Sequence, residues 1–149
     1  MSNDETMMKS ENRNTVTDES FWCTNAEAVV REGPAKSHVY DLEERTARFG
    51  EAVIDFAKRV PQDAVTSRLI SQLVGAATSV GANYVEADDA VSKKEFLKSI
   101  GICRKESRET KHFLRMIVRA APHLKLQART LWLEAKELNL IFSKIWRSK

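Results

Sequence analysis

Two side chains in this sequence have the spacing of a metal site. Glu109 and His112 form a Glu-x-x-His pattern, and Glu86 and Glu106 are further carboxylates that a metal ion could use. A di-iron site in a helical bundle takes two such patterns and one glutamate from each of two other helices. Neither of the two other histidines has a glutamate three residues before it. We therefore predict no metal site and no cofactor.

Nucleophilic catalysis is not indicated either. Cys103 falls at an apolar position of a predicted helix, where a thiol packs as a small apolar side chain. Cys23 and Cys103 are too far apart in the sequence to indicate a disulfide framework or a zinc site. The chain has no Ser, His and Asp order with the turns that position a catalytic triad, and no nucleophile elbow. The sequence predicts a protein that is not an enzyme.

Positive charge is concentrated in the last third of the chain. Residues 1–37 carry 4 Lys and Arg against 7 Asp and Glu, and residues 38–91 carry 5 against 9. Residues 92–149 carry 15 against 5, so the three segments have net charges of −3, −4 and +10, which together give the net charge of +3. Such separation marks either a binding surface or two surfaces that meet in an oligomer.

The cations of that last segment recur at helical steps, and we call this set the basic face. Its members are Lys93, Lys94, Lys98, Arg104, Lys105, Arg108, Lys111, Arg115, Arg119, Lys125 and Arg129, with His112 among them. A one-sided set of cations predicts binding to the phosphate backbone of RNA or DNA. Two alternatives stay open. The basic face is also compatible with a solvated helix surface and with subunit pairing against the acidic residues Glu43, Glu44, Glu51 and Asp55.

Four amphipathic helices must position these residues. Apolar side chains recur at alternating steps of three and four along four segments, which is the helical period. The repeating positions are Leu42, Thr46, Phe49, Val53, Phe56 and Val60; Leu69, Leu73, Ala76, Val80 and Asn83; Phe96, Ile100, Cys103, Ser107, Thr110, Leu114, Ile117 and Ala121; and Leu124, Ala128, Leu131, Ala135, Leu138, Phe142 and Ile145. Short turns join the segments, so we predict an all-α fold, an antiparallel up-down-up-down four-helix bundle.

The ends of the helices are marked by proline and capping residues. Pro61 and Pro122 end the first and third predicted helices. Asp63 is the predicted N-cap of the second helix. Ser92 is that of the third, where Glu95 completes a capping box.

Glycine and alanine cluster on the second predicted helix, at Gly75, Ala76, Ala77, Ser79, Gly81 and Ala82. No strand precedes Gly81 and the glycines lack the spacing of a phosphate-binding loop, so a phosphate site is not indicated. Small side chains let a neighbouring backbone or a bulky residue approach closely. We predict such an approach here, with Phe96, Phe113 and Trp132 as the candidate bulky residues.

Asn83 falls on the apolar side of the second helix, and Glu86 lies one turn further on. A buried polar group without a partner costs about 1–3 kcal/mol. We therefore predict an internal polar network of Asn83, Glu86, Glu106 and Glu109 that fixes the register of the helices.

Residues 1–37 are predicted to be an extension to a bundle that occupies residues 38–149. Residues 1–20 are polar, without periodicity, and are predicted to be disordered. Thr24 and Glu27 have the spacing of a capped short helix. Phe21 and Trp22 form an isolated apolar cluster, predicted to dock on the bundle, on a neighbouring subunit or on another protein. With no apolar signal segment and no membrane span, we expect a cytoplasmic protein.

The fourth predicted helix has apolar residues on two sides. Trp132, Leu133, Leu140, Ile141 and Trp146 lie off its main apolar stripe. Apolar surface on a second side of a helix predicts contact with a neighbouring subunit, so we expect a homo-oligomer. A wide core stripe within one bundle is the alternative.

Stretches of the two central helices resemble a known family. They are Ser71-Gln72-Leu73, the run Thr78-Ser79-Val80-Gly81-Ala82-Asn83-Tyr84-x-Glu86-Ala87, Ser92-x-x-Glu95-Phe96, and Lys105-Glu106-x-x-Glu109-Thr110-x-x-x-Leu114. The pattern is similar to that of small bacterial four-helix bundle proteins first noticed in intervening sequences of 23S ribosomal RNA genes. The resemblance implies a ring-shaped homopentamer without an established enzymatic activity. It also implies kinship with the accessory proteins of diversity-generating retroelements, which engage a reverse transcriptase and nucleic acid through a basic barrel.

Together these features predict a non-enzymatic, oligomeric scaffold or adaptor. Its basic face is expected to recruit RNA, DNA or a nucleic-acid enzyme such as a reverse transcriptase. The alternative is a protein-interaction module that captures a partner through its N-terminal segment and has no nucleic-acid role.

Overall fold

All the regular structure in the described part of the chain is helical. The computed structural model describes residues 17–23 and 41–148, and the chain divides into two units, Met1–Lys36 and Ser37–Lys149. The described part of the first unit contains one short helix, α1. The second unit contains four long helices, and a 3₁₀ turn, Pro122–Leu124, precedes the last of them. The helices are α1 (Asp18–Trp22), α2 (Leu42–Ala57), α3 (Ala64–Asp88), α4 (Lys93–Ala120) and α5 (Lys125–Arg147).

The second unit confirms the predicted four-helix bundle. α3 packs against both α2 and α4, α4 packs against α5, and α2 touches α5 much less extensively than it touches α3. Short connections make successive helices antiparallel. The core is built from the predicted repeating positions. Its most completely buried members include Val53, Leu73, Val80, Ile100, Cys103, Leu114, Ile117, Ala128, Ala135, Leu138 and Phe142.

The predicted stripes become half-exposed at their edges. Leu69, Asn83, Phe96 and Ile145 are only partly buried, whereas the predicted positions between them on each helix are buried. A straight α-helix has 3.6 residues per turn, so a seven-residue repeat drifts by about 20° per heptad. Positions near the ends of a stripe therefore rotate away from the core.

α2 ends one turn earlier than its apolar stripe predicts. The helix stops at Ala57, and Val60 remains buried beyond it. The N–H of Arg59 donates to the carbonyl of Phe56 at 3.0 Å, and that of Val60 to Ala57 at 3.2 Å. These bonds, between residues three apart as in a 3₁₀ turn, satisfy two carbonyls at the helix end. The turn they form places Val60 in the core.

The predicted N-caps are confirmed, but the full capping box lies at the other helix. Asp63 accepts from the N–H groups of Val65 and Thr66, and its own N–H donates to Thr66 Oγ1 at 2.8 Å. At α4, Ser92 Oγ accepts from the Glu95 N–H at 3.2 Å.

The return bond of the α4 cap differs from the prediction. Glu95 Oε2 accepts from the Val91 N–H at 3.3 Å rather than from Ser92. The Glu95 side chain thus accepts from the residue before the N-cap, whereas in a capping box it would accept from the N-cap residue itself.

The small-residue cluster of α3 packs against the backbone of α2. A Cβ placed on Gly81 would lie 3.3 Å from Thr46 Oγ1 and 3.5 Å from the Thr46 carbonyl carbon. A Cβ on Gly50 would lie 3.7 Å from Thr78. The predicted close approach is therefore correct at Gly81, where α2 is the neighbour rather than one of the three aromatic candidates. Around Gly75 the space is open.

Register is fixed by other polar residues than those predicted. Arg45 of α2 holds Glu134 of α5 through two bonds, Nε–Oε1 at 2.6 Å and Nη2–Oε2 at 3.2 Å, and its Nη2 also reaches Glu137 at 2.6 Å. Asn139 of α5 donates through Nδ2 to the Arg104 carbonyl of α4 at 2.8 Å. These contacts tie α5 to both of its neighbours.

The predicted internal network does not assemble. Asn83 donates to the Ser79 carbonyl of its own helix at 2.8 Å, and Glu86 is exposed. Of the four predicted members, Glu106 and Glu109 interact with each other. Because an i, i+4 bond to the backbone satisfies the Asn83 amide within α3, the side chain needs no partner on α4.

The N-terminal unit contains a helix where disorder was predicted. Thr17 caps α1 by accepting from the Ser20 N–H at 3.1 Å, so residues 18–20 are helical. The rings of Phe21 and Trp22 meet edge to face with centroids 5.0 Å apart. The disorder predicted for residues 1–16 and the helix start at Thr24 lie outside the described residues, and docking of the Phe21 and Trp22 cluster stays a prediction.

The described helices lie within residues 17–23 and 41–148. None of the helices there is long and apolar enough to span a bilayer.

Candidate nucleic-acid interface

A groove between α4 and α5 gathers the largest group of cations. Its volume is about 720 Å³. Five of its lining residues are cationic, and none of the described residues that line it is a carboxylate. The lining consists of Gly101, Arg104, Lys105, Arg108, Lys111, Asn139, Ser143 and Arg147. We call these eight residues the basic groove.

Helical spacing on two antiparallel helices explains the groove. On α4, Arg104, Arg108 and Lys111 follow one another at steps of four and three, so they share one side of the helix. On α5, Ser143 and Arg147 follow at the same spacing. The bond from the Asn139 amide to the α4 backbone holds the two helices together at the centre of the groove.

An aromatic ring lies at the margin of the basic groove. The Arg104 guanidinium carbon is 4.7 Å from the centroid of the Trp146 ring. The indole edge passes close to Gly101, where a Cβ would lie 3.5 Å from Nε1. Glycine at this position therefore leaves room for the ring, and 44% of the Trp146 surface remains exposed. A guanidinium over an indole face is a favourable cation–π arrangement.

The second tryptophan of α5 is buried, which corrects one prediction. Trp132 was expected at an oligomer interface, but it is only 1% exposed. The ammonium groups of Lys111 and Lys136 lie 4.8 Å and 5.6 Å from its ring centroid. Because the chain itself covers this side chain, Trp132 belongs to the bundle interior.

The other residues predicted for an oligomer interface remain accessible. Leu133, Leu140 and Trp146 are exposed, and Ile141 is half-buried. Leu126, which is not among the predicted interface residues, is 69% exposed and lies one heptad before Leu133. The three leucines therefore follow one another along the outside of α5.

The predicted basic face is divided by the structure. Four of its eleven members line the basic groove: Arg104, Lys105, Arg108 and Lys111. Two lie in shallow depressions elsewhere, with Lys93 beside Asp88 at the α3–α4 turn and Lys98 among Glu86, Asp89 and Glu95. The remaining five, Lys94, Arg115, Arg119, Lys125 and Arg129, are not part of the groove lining. Helical rotation along α4 carries Lys98 toward the acidic end of α3 and away from α5.

Sequence reasoning missed three residues of the groove. Asn139, Ser143 and Arg147 recur at steps of four on α5. That polar spacing was visible in the sequence, because four-residue steps place side chains on one side of a helix. The spacing could not assign these residues to the groove, because the sequence does not show that this side of α5 faces the cations of α4.

Next to the basic groove, α4 carries three of the residues that were considered as metal ligands, Glu106, Glu109 and His112. Glu109 and His112 line a depression of about 480 Å³ with Gln72 and Phe113, and the groove residues Lys105 and Arg108 line it too. Within residues 17–23 and 41–148, no three His, Cys, Asp or Glu side chains come together as a metal site would require. Burial first, and then the charge of Glu109, raise the pKa of Glu106.

The raised pKa of Glu106 predicts a dependence of stability on pH. The folded state keeps the Glu106 proton to a higher pH than the unfolded state does. The contribution of Glu106 to the free energy of unfolding therefore falls as the pH rises from the pKa of the unfolded state to that of the folded state. Replacing Glu106 with Gln keeps a hydrogen-bond donor toward Glu109 and removes the charge. We expect Glu106→Gln to raise the midpoint of thermal unfolding at pH 7 and to remove the part of its pH dependence that this carboxyl contributes. Glu86→Gln, at an exposed site, is the matched control, and an equal effect of both substitutions would contradict this account.

The one bundle thiol is packed in the core, as predicted. Cys103 is fully buried and its Sγ donates to the Val80 carbonyl of α3 at 3.4 Å. Burial raises the pKa of Cys103 to about 12. The thiolate needed for nucleophilic chemistry is therefore scarce at neutral pH.

Comparisons with known proteins agree on the bundle. A family model described as 23S rRNA-intervening sequence protein matches residues 40–144. The chain is also similar to the crystal structure of a protein with unknown function from the S23 ribosomal protein family of Bacteroides thetaiotaomicron VPI-5482. The TM-score is 0.63 with 22% identity, over 70% of this chain and 97% of that chain, a likeness that shows the fold. No curated protein matches the chain.

Proposed function

We propose, from the premise that the chain belongs to the 23S rRNA-intervening sequence protein family, that it is a non-enzymatic adaptor that binds nucleic acid in the basic groove. The resemblance seen in the sequence is confirmed at the level of this family. Kinship with retroelement accessory proteins, and recruitment of a reverse transcriptase, stay predictions. The observation that carries the proposal is the grouping of five cations from two helices without an interposed carboxylate.

The chemistry of the groove matches that of a phosphate backbone. Arg104, Arg108 and Arg147 present planar guanidinium groups that pair with phosphate oxygens, and Lys105 and Lys111 add compact charges. The Asn139 amide and the Ser143 hydroxyl can bond to sugar and phosphate oxygens. Contacts of this kind position a nucleic acid without reading its sequence. We therefore expect binding with little sequence preference.

Salt dependence tests this proposal. Binding that neutralises phosphates releases counterions, so log K falls linearly with log salt, with a slope of about −0.9 per phosphate for duplex DNA and about −0.7 for a single strand. Five cations then give slopes of about −3.5 to −4.5. Fluorescence anisotropy of labelled 20-nucleotide RNA, at potassium chloride concentrations from 50 to 300 mM, would measure the slope. No binding at 50 mM, or a slope near zero, would contradict the proposal.

Exposed apolar residues on α5 support a second part of the proposal, self-association. Leu126, Leu133 and Leu140 are 69%, 39% and 56% exposed at seven-residue steps, an apolar stripe of the kind that helices bury against each other. The homopentamer implied by the family resemblance is one assembly that would cover them. Native mass spectrometry of the full chain would show the subunit number. A monomer at micromolar concentration would contradict self-association.

The alternative role, capture of a protein partner by the N-terminal segment, is separable by deletion. Removing residues 1–37 should leave nucleic-acid binding intact if the basic groove carries the function. If the segment is the functional part, the deletion should abolish binding of its protein partner.

A further inference from the structure

We propose that the basic groove selects single-stranded nucleic acid and that one base stacks on the exposed ring of Trp146. This inference rests on the proposed function and adds the class of nucleic acid and the residue that recognises it. It is carried by two features of the groove, its size and the aromatic ring at its margin.

The size of the groove favours one strand over two. Packed helices lie about 8–10 Å apart, and the volume between the outer side chains of α4 and α5 is about 720 Å³. That volume is on the scale of pockets that hold one small ligand, about 300–1,000 Å³. It can enclose a short stretch of one strand but not both strands of a duplex. A duplex would reach only the outermost cations.

Trp146 is placed to hold a base of such a strand. Ser143, three residues before it, and Arg147, the next residue, line the groove. Arg104, another lining residue, covers the ring at 4.7 Å. With 44% of its surface exposed, Trp146 leaves ring area open to solvent. Every base has a π face, and bases stack on aromatic rings in single-strand-binding proteins. The Arg104 guanidinium on the ring adds a planar cation to the same stack.

Trp132 shows that a tryptophan ring beside cations can stack on a base only if the ring is exposed. It also has cations over its ring, Lys111 and Lys136, within 6 Å. Because only 1% of its surface is exposed, no base can reach it. Of the two tryptophans in the bundle, Trp146 alone combines an open ring with a cationic groove.

The test compares strands and side chains under one salt condition. Anisotropy at 100 mM potassium chloride would measure the Kd of a labelled single-stranded RNA. The same measurement would give the Kd of the duplex that this RNA forms with a complementary strand of equal length. We expect the single strand to bind about tenfold more tightly. Trp146→Leu should weaken single-strand binding about tenfold, the loss of one stacked base, and should leave duplex binding and both salt slopes unchanged.

Two further variants separate stacking from packing. Trp146→Phe keeps an aromatic face and should retain most of the single-strand affinity. Val65→Ala, at an exposed apolar site on α3, should change nothing. Circular dichroism would check that each variant is folded. If Trp146→Leu fails to fold, the tryptophan emission of the unaltered protein should be quenched by single-stranded RNA. Trp146→Phe should bind that RNA without the quenching.

The outcomes distinguish a failure of this inference from a failure of the proposed function on which it rests. Binding of both nucleic acids with equal affinity, or an unchanged Kd and no loss of quenching in the Trp146 variants, overturns the selection of single strands and leaves a nucleic-acid adaptor. No binding of either nucleic acid to the unaltered protein overturns the proposed function and the inference together.

Discussion

Reversing three charges in the basic groove should raise the Kd for single-stranded RNA about 100-fold at physiological salt. The triple variant Lys105→Glu, Arg108→Glu and Arg147→Glu changes cations that are exposed and line the groove from both helices. Within residues 17–23 and 41–148, none of the three forms an ion pair whose loss would disturb the fold. Each phosphate contact to a single strand contributes about 0.7 to the magnitude of the salt slope, so the loss of three contacts should lower that magnitude by about two.

A second triple variant separates the groove from the charge of the whole protein. Lys93→Glu, Lys94→Glu and Lys98→Glu alter exposed cations of the same helix outside the groove. Three Lys or Arg to Glu changes lower the formal net charge by six, from +3 to −3, in both variants. We expect the control to weaken binding only a few-fold, through the long-range field. Anisotropy titrations at three salt concentrations measure both, and equal losses in the two variants would show that the groove is not the site.

Gly81→Val should destabilise the bundle by about 2 kcal/mol more than Gly75→Val does. The Gly81 position lies 3.3 Å from Thr46 Oγ1, measured from an ideal Cβ. Thr46 cannot easily move, because its hydroxyl donates to the Leu42 carbonyl at 2.7 Å and it is buried. Adding methyl groups to a packed contact typically costs about 1–3 kcal/mol. The cost here appears as separation of α2 from α3.

Gly75→Val is the matched control on the same helix. A Cβ there meets no atom within 4 Å, so both substitutions change helix propensity alike and only one creates a clash. Urea unfolding followed by circular dichroism at 222 nm would give the two free energies of unfolding. For a chain of this size, 2 kcal/mol corresponds to about 4–8 °C in the midpoint of thermal unfolding. Equal stabilities would mean that α2 and α3 can move apart at no cost.

Local pattern in the sequence determined the helices and their core. A side chain at every third or fourth position lies on one side of a helix whatever surrounds it, so the buried residues from Leu42 to Phe142 follow from spacing alone. The caps at Asp63 and Ser92 follow for the same reason, because a cap is completed within one turn of chain. The family likewise shows in residues that stand close together on α3 and α4.

Tertiary structure alone decided which surfaces meet. Spacing places Trp132 and Trp146 two heptads apart on the same side of α5, but the position of α4 buries the first and leaves the second open beside Arg104. The sequence likewise groups Lys98 with the other cations, whereas the packed bundle sets it among carboxylates. Helical spacing determines on which side of its own helix a side chain lies. Which neighbouring residues that side contacts depends on the rotation and register of the neighbouring helices. The basic groove belongs to two helices, and for that reason neither helix predicts it by itself.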